Sequence, residues 1–289
     1  MRLRTLPLAL ASTLTGAFLV LLEQPLNALV LALTISTTVL LQINSNLAND
    51  YGDFSHGTDN DERVGPQRAL QSGVINAVEM RNAVRVVSLL SFLSGLALLY
   101  FAPLDIRFKA VLMIFGLAAI YASVRYTAGS NPYGYRGLGD LSVMLFFGVL
   151  GVVGSYVCQS GSFSWEVLLP ALAIGAFSTG VLNVNNTRDL ENDLKTGKIT
   201  LAVKMGAQNA RIYHFLLLFS GMLFFVLYAW IRIPWGLGWL FLFSYPLFLF
   251  NALMVFKTTD AAKLDPYLKQ LALTTFLFSL LLGIGMATA

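Results

Sequence analysis

The chain is expected to be an all-α integral membrane protein, a bundle of nine transmembrane helices with its N-terminus cytoplasmic. Three observations predict this. Hydrophobic residues are 56% and charged residues only 12% of the 289, with a mean hydropathy of +0.70, whereas soluble domains carry roughly 25% charged residues. Apolar stretches recur close to the roughly 20 residues that a spanning helix needs. The basic residues gather on one side of those stretches, as they do in cytoplasmic loops.

The first stretch, residues 6–22, follows the basic start Met1-Arg-Leu-Arg and has the outline of a secretory signal. Eight further spans make a retained helix the better reading. They lie near 26–48, 83–102, 108–126, 139–158, 166–187, 210–231, 234–256 and 267–287. With runs of membrane length, the soluble prior of one domain per 150 residues does not apply, and a single helical domain over 1–289 is expected. This threading leaves every Lys and Arg except Arg107, Lys109 and Arg232 on the side of the N-terminus. That side is therefore read as cytoplasmic and the C-terminus as external. The loops near 54–80 and 194–208 are long and lie on the same side, where function tends to sit.

Two acidic stripes fall at helix ends on that face, NLANDYGDF at 46–54 and NNTRDLEND at 185–193. In a helix Asn46, Asn49, Asp50 and Asp53 share one face, as do Asn186, Asp189 and Asp193. Carboxylates this close repel one another and are costly beside a membrane, so a cation or cationic partner is expected. Hard oxygen ligands completed by phosphate oxygens describe a Mg²⁺-diphosphate site.

The +4 net charge and pI near 9.2 imply affinity for anionic lipid headgroups or a phosphorylated substrate. No nucleic-acid module is present, so no nucleic-acid partner is expected. The single cysteine, Cys158, rules out an intrachain disulfide and thiolate metal chemistry. His56 and His214 are too isolated for a zinc site and read as a loop residue and a helix-terminal one. Walker, dinucleotide and GxSxG motifs are absent, as are repeats of 20 to 50 residues.

These residues resemble the membrane-embedded UbiA-type aromatic prenyltransferases. Asn49-Asp50-Tyr-Gly-Asp53 is similar to their NDxxD motif and Asp189-Leu-Glu-Asn-Asp193 to their DxxxD motif. Three longer blocks narrow the resemblance to the branch of menaquinone synthesis that prenylates 1,4-dihydroxy-2-naphthoate. They are LQINSNLANDYGDFSHGTDNDERVGPQRALQSGVI, NPYGYRGLGDLSVMLFFG and LNVNNTRDLENDLKTGKITLAVKMG. The likeness runs over almost the whole chain, though the arm before the first helix is short and a basic contact from it rests on Arg2 and Arg4.

The resemblance implies a cofactor of two Mg²⁺ ions, one held by Asp50 and Asp53 with Asn46 or Asn49, the other by Asp189 and Asp193. Both would bind the diphosphate of a polyprenyl diphosphate. Arg63, Arg68, Arg125, Lys195 and Lys198 are candidates for the cationic clamp, and Tyr121 and Arg125, one turn apart, are similar to a family Tyr-x-x-x-Lys/Arg pair. Tyr121 would then lie near the allylic cation and Arg125 near the phosphate. The naphthoate ring would attack and lose CO₂, giving a demethylmenaquinone at the cytoplasmic face of the inner membrane, with the polyprenyl tail among membrane lipid.

Other residues have plainer readings. Asp59, Asp61 and Glu62 in GTDNDER read as a solvated turn, of which only Asp59 falls near the metal. Arg63 and Arg68 flank the Gly65-Pro66 turn and suit positive-inside residues as well as a phosphate clamp. Asp140 reads as a cap for the fifth helix, with Arg136 beside it either shaping the loop or contacting the aromatic acid. Trp230, Trp235 and Trp239 read as an interfacial belt. Two other functions fit the same features less well: a UbiA-type enzyme for another acceptor such as 4-hydroxybenzoate, and a secondary transporter. The helix centres hold almost no ionisable residues, which argues against transport.

Overall fold

Side-chain caps set where four of the long helices begin. The computed structural model describes residues 5–60, Val64 and residues 68–288. Arg2, Arg4, Asp61, Glu62, Arg63 and the Gly65-Pro66 turn lie outside the described residues. Helix α1 spans Leu6–Leu19 with a proline in its first turn, and a tighter turn, Val20–Leu22, extends it. Helix α2, Ala28–Ser55, starts where the Asn27 side chain accepts from the amides of Leu29 and Val30. Helix α3, Ala77–Phe101, opens with a capping box in which Asn76 and Glu79 each accept the other's amide. Asp105 caps α4, Ile106–Arg125.

The remaining helices are less regular. Helix α5 covers Gly139–Ser160, and its middle, Met144–Val153, is wound in wide π turns. Wide turns free backbone carbonyls, and Ser12 of α1 donates to one of them, at Phe147. Helix α6 is Leu168–Arg188, and a short α7, Leu190–Lys195, follows a bend at Asp189. Helix α8 is Leu201–Arg232, capped by Thr200 and interrupted at Gly206. A tight helical stretch, Leu237–Ser244, leads into α9, Tyr245–Lys257, and α10 is Asp265–Thr288.

Among the described residues all regular structure is helical, and eight stretches are long and apolar enough to cross a bilayer, with Leu6–Leu22 a shorter apolar helix. The chain is a multi-pass membrane protein. Three expected boundaries move. Helix α2 continues to Ser55, α3 starts at Ala77 and α8 at Leu201. In each case the extra turns contain charged or amide residues that interrupt the apolar run, so apolar patterning stops short of them, while the backbone continues to its end. Twenty-eight residues make α2 about 42 Å long, against a hydrocarbon thickness of about 30 Å. Its polar last turns therefore extend past the apolar layer.

Packing divides the molecule into a dense part and a loose part. Helix α6 is buried along almost its whole length, between α5, α8 and α10. An aromatic cluster fills this side: Phe177 stacks on Phe248 at 4.1 Å, and Phe278 meets Phe225 edge-on at 4.7 Å. His214 corrects its helix-terminal reading, for it is fully buried inside α8 with a ring nitrogen 2.9 Å from Asn251 Oδ1 of α9. Helix α4, by contrast, buries none of its residues. It is held to α2 and α3 by a polar clip, in which Asn44 donates to Ser123 at 2.8 Å and accepts from Ser88 at 3.0 Å. A cavity occupies the loose part. At the end away from the acidic stripes, Trp235 stacks on Trp239 at 4.3 Å, and Arg232 bridges Glu23 and Glu166.

Candidate active site

The last turns of α2 carry the first stripe into a buried polar pocket. Asn46, Asp50 and Asp53 are each at most 5% exposed. Asp50 is paired with Arg68, whose Nε also lies 3.7 Å from Asp59. Asp53 accepts from the Tyr135 hydroxyl at 3.0 Å and lies 3.4 Å from Lys198 Nζ. Gly52 lets the chain after α4 cross here, because a Cβ on it would stand 2.3 Å from Thr127 Oγ1 and 2.5 Å from Thr127 C. Thr127 in turn donates to the Asn49 side-chain oxygen at 3.3 Å.

The second stripe arrives from α6 and α7. The two helices do not form one continuous helix, as the spacing had implied, but bend at Asp189 (φ −91°, ψ 7°). Beyond the bend the Asp193 amide bonds the Asp189 carbonyl at 2.8 Å, the first bond of α7. After α7 the chain turns back at Gly197 (φ +74°), a left-handed conformation that suits glycine. That reversal places Lys198 Nζ 3.9 Å from Asp193 as well as beside Asp53, and 5.4 Å above the Tyr135 ring. Lys198 thus stands between the two stripes. Asp189 is gripped at both oxygens by Arg188, at 2.8 and 2.7 Å. Arg188 is also paired with Asp265.

A pattern emerges: Arg68, Lys198 and Arg188 each bridge two aspartates, at least one of them from a stripe. Among the described residues no group of three or more His, Cys, Asp or Glu is arranged to hold a metal by itself. The donors are hard carboxylate oxygens in pairs, and Mg²⁺ is commonly held by one or two carboxylates plus substrate phosphates. The residues therefore fit a Mg²⁺ ion that arrives with phosphate oxygens.

From this polar end a cavity of about 350 Å³ runs between α2, α3, α4 and α5. Asn46, Asn49, Asp53, Arg68, Asp189 and Lys198 line one end. Leucines of α3 and α4 and Phe147 and Leu150 of α5 line the rest. Its lining on α2 extends from Asp53 to Thr34, about 28 Å at 1.5 Å per residue. Two hydroxyls on the α2 wall are satisfied within that helix: Thr34 donates to the Val30 carbonyl at 2.7 Å and Thr37 to the Leu33 carbonyl at 2.8 Å. Those two residues present an effectively apolar face to the cavity.

Several expected residues do not reach this cavity. Tyr121 is 67% exposed on the outer side of α4, and Arg125 lies against Gly129. Their spacing does put them on one face, but Ile120 and Ser123 occupy the face that lines the cavity. Lys195 is exposed on α7. Asp140 does not cap α5: it sits in the first turn, buried, beside the Tyr213 hydroxyl. Asp59 is buried against Arg68 rather than solvated.

The residues that take these places were not foreseen. Tyr126 and Tyr133 line the cavity, packed edge-on at 5.3 Å, and Tyr135 binds Asp53. Burial, with the nearby carboxylates Asp140 and Asp53 respectively adding to it, pushes the Tyr126 and Tyr135 phenols far up, so both stay protonated. Arg188 was legible only as a basic residue inside the second stripe. Nothing in its spacing marked it as the partner of Asp189.

Comparison with known proteins agrees with this geometry. The chain is 41% identical over 287 residues to the 1,4-dihydroxy-2-naphthoate octaprenyltransferase of Haemophilus influenzae, covering 99% of this chain and 93% of that one. It is also 41% identical over 285 residues to the Escherichia coli protein of the same name, covering 99% and 92%. Its fold is similar to that of a UbiA homolog from Aeropyrum pernix K1, with a TM-score of 0.75 at 16% identity over 100% of this chain and 98% of that one. A UbiA homolog from Archaeoglobus fulgidus, solved with DMAPP and Mg²⁺, gives 0.64 at 15% identity over 99% of each chain. With two aspartate stripes facing across one cavity, and the UbiA prenyltransferase family model matching residues 9–287, the chain belongs to that family.

Proposed function

We propose that the chain transfers a polyprenyl group from polyprenyl diphosphate to 1,4-dihydroxy-2-naphthoate, with loss of CO₂, giving a demethylmenaquinone. The observation that carries this reading is one cavity, lined along about 28 Å of α2, that joins an acidic, cation-bridged end to an apolar remainder. A charged head and an isoprenoid tail have those two requirements. The acceptor follows from the 41% identity to naphthoate octaprenyltransferases over nearly the full chain.

In this reading Asp50 and Asp53, with Asn46 or Asn49, and Asp189 with Asp193 would hold two Mg²⁺ ions. The bound metal would neutralise the charge that develops on the departing diphosphate. Arg68 and Lys198, already at the polar end of the cavity, turn from their carboxylates to phosphate oxygens. Tyr126, fixed as a neutral phenol, presents its ring toward the site of the allylic cation. The apolar wall keeps bulk water from that cation until the electron-rich ring attacks. Charge bias supports one domain that crosses the membrane nine times from a cytoplasmic N-terminus, with the site facing the cytoplasm of the inner membrane.

The test is incubation of detergent-purified protein with polyprenyl diphosphate, Mg²⁺ and either 1,4-dihydroxy-2-naphthoate or 4-hydroxybenzoate, followed by mass spectrometry. A prenylated, decarboxylated naphthoquinone from the first tube alone, lost with EDTA, is expected. Product only from 4-hydroxybenzoate would overturn the acceptor, and no product from either would overturn the reaction.

A further inference from the structure

Arg188 has the least accessible side chain of the three bridging cations, at 0% exposed, and it occupies a carboxylate that the proposed reaction needs. Its Nε and Nη2 grip both oxygens of Asp189, Nη2 also reaches Asn185 Oδ1 at 3.0 Å, and Nη1 is paired with Asp265. A bidentate guanidinium takes one lone pair on each Asp189 oxygen and sets a positive charge where a metal ion would approach. Asp189 therefore binds a cation better once Arg188 has moved off it. A guanidinium cannot shed its proton, and stranding it in a buried place without a carboxylate is costly.

Asp265 removes that cost. It opens α10, far in sequence from either stripe, and its side chain is 36% exposed. It already holds one arm of Arg188, so the guanidinium can leave Asp189 without losing its countercharge. Asp59 stands in the same relation to Arg68 and Asp50, at 3.7 Å from Arg68 Nε.

We propose that Asp265 is a positioning residue that draws Arg188 off Asp189 and so opens the second aspartate stripe to a metal-diphosphate. The proposal rests on reading Asp189 as a metal carboxylate. Without Asp265 the guanidinium stays on Asp189 and the metal has to displace it unaided.

The test is binding of Mn²⁺ to the purified full chain in the presence of inorganic diphosphate, read from the loss of the free Mn²⁺ signal in electron paramagnetic resonance. Asp265→Asn is expected to weaken Mn²⁺ binding by about fivefold to tenfold, within the range of coupling between two linked groups. Asp265→Glu restores it. The double variant Arg188→Gln/Asp265→Asn also regains it, because the competing guanidinium is gone; Arg188→Lys, which cannot grip both oxygens, serves if the glutamine variant does not fold. In turnover, Asp265→Asn raises the Mg²⁺ concentration for half-maximal rate and leaves kcat at saturating Mg²⁺ unchanged. Unchanged Mn²⁺ affinity in Asp265→Asn, or a double variant as weak as the single one, would overturn the proposal. Asp189→Asn binding Mn²⁺ as the parent does would overturn the metal reading beneath it.

Discussion

Replacing Gly52 by alanine adds one methyl group at the point where two parts of the site cross. The added Cβ would stand 2.3 Å from Thr127 Oγ1, 2.5 Å from its carbonyl carbon and 2.6 Å from its carbonyl oxygen. Ordinary carbon contacts begin near 3.5 Å, so the 126–128 segment has to retreat by about 1 Å. Two of the three atoms are backbone, and no rotamer change relieves them. Overpacking of this kind costs about 1–3 kcal/mol, which lowers Tm by roughly 2–4 °C per kcal/mol for chains near this size. The functional loss should exceed the stability loss, because the same segment carries Tyr126 into the cavity and leads to Tyr135 on Asp53. A displacement of about 1 Å in a catalytic assembly costs on the order of 100-fold in rate. Thermal unfolding in detergent and turnover by mass spectrometry measure the two effects. Gly116→Ala is the control for the stability measurement, since a Cβ there meets nothing within 4 Å and a helical alanine gains roughly 1 kcal/mol over glycine. A Gly52→Ala protein as stable and as active as the parent would refute the argument from the crossing.

Asp50→Asn and Asp189→Asn should abolish turnover while the proteins still purify as folded monodisperse species, and EDTA should stop the parent until Mg²⁺ is restored. Tyr135→Phe removes a donor from Asp53 and the 2.6 Å partner of Thr58; leaving such buried groups unmatched costs about 1–3 kcal/mol, or roughly a tenfold fall in kcat/KM. The parent's pH-rate profile should show no tyrosinate limb up to about pH 10, because burial raises the phenol of Tyr135 in the folded chain above its ordinary value near 10. By the same sign, any stability tied to that phenol holds below about pH 10 and falls above it. Cys158 lines the cavity and packs with Val30, Leu98 and Ala102 in a small apolar cluster near its far end. Cys158→Phe should therefore depress kcat/KM for long polyprenyl donors and spare geranyl diphosphate, and a parallel loss for both would refute a tail that reaches this cluster.

The first stripe was readable because one straight helix carries it. Asn46, Asp50 and Asp53 keep the spacing that the sequence implies, and polar residues at the end of an apolar run stand out. The second stripe was readable as chemistry but not as shape, since nothing in NNTRDLEND marks the bend at Asp189. Tyr121 and Arg125 show a further limit. Spacing tells which residues share a face, while only packing tells what the face meets. Helix α4 buries no residue, so its sequence has no apolar stripe from which its rotation can be read. The π turns of α5 were equally silent; they lie where α1 and α6 pack against it. Arg188 and Asp265, nearly eighty positions apart, meet only through the packing of α10 against α6.

The bridging cations also set the order in which ligands bind. Asp50, Asp53, Asp189 and Asp193 each face a lysine or arginine at 4 Å or less, so a bare Mg²⁺ ion would have to shed water and displace a buried cation at the same time. Mg²⁺ dehydrates reluctantly, and the displaced Arg68 or Lys198 would gain nothing in return. A diphosphate changes both terms. It brings oxygens that complete the Mg²⁺ shell, and it offers the displaced cations a new anion with charge-assisted hydrogen bonds. Metal and diphosphate should therefore bind together far better than either alone. Ligand at about 100 times its Kd stabilises the folded state by about 2.7 kcal/mol, a shift that thermal unfolding resolves. Millimolar Mg²⁺ alone should leave Tm nearly unmoved, diphosphate alone should do little more, and the two together should raise it by several degrees. The full rise with Mg²⁺ alone would mean that the aspartates are not committed to Arg68, Lys198 and Arg188 before substrate arrives.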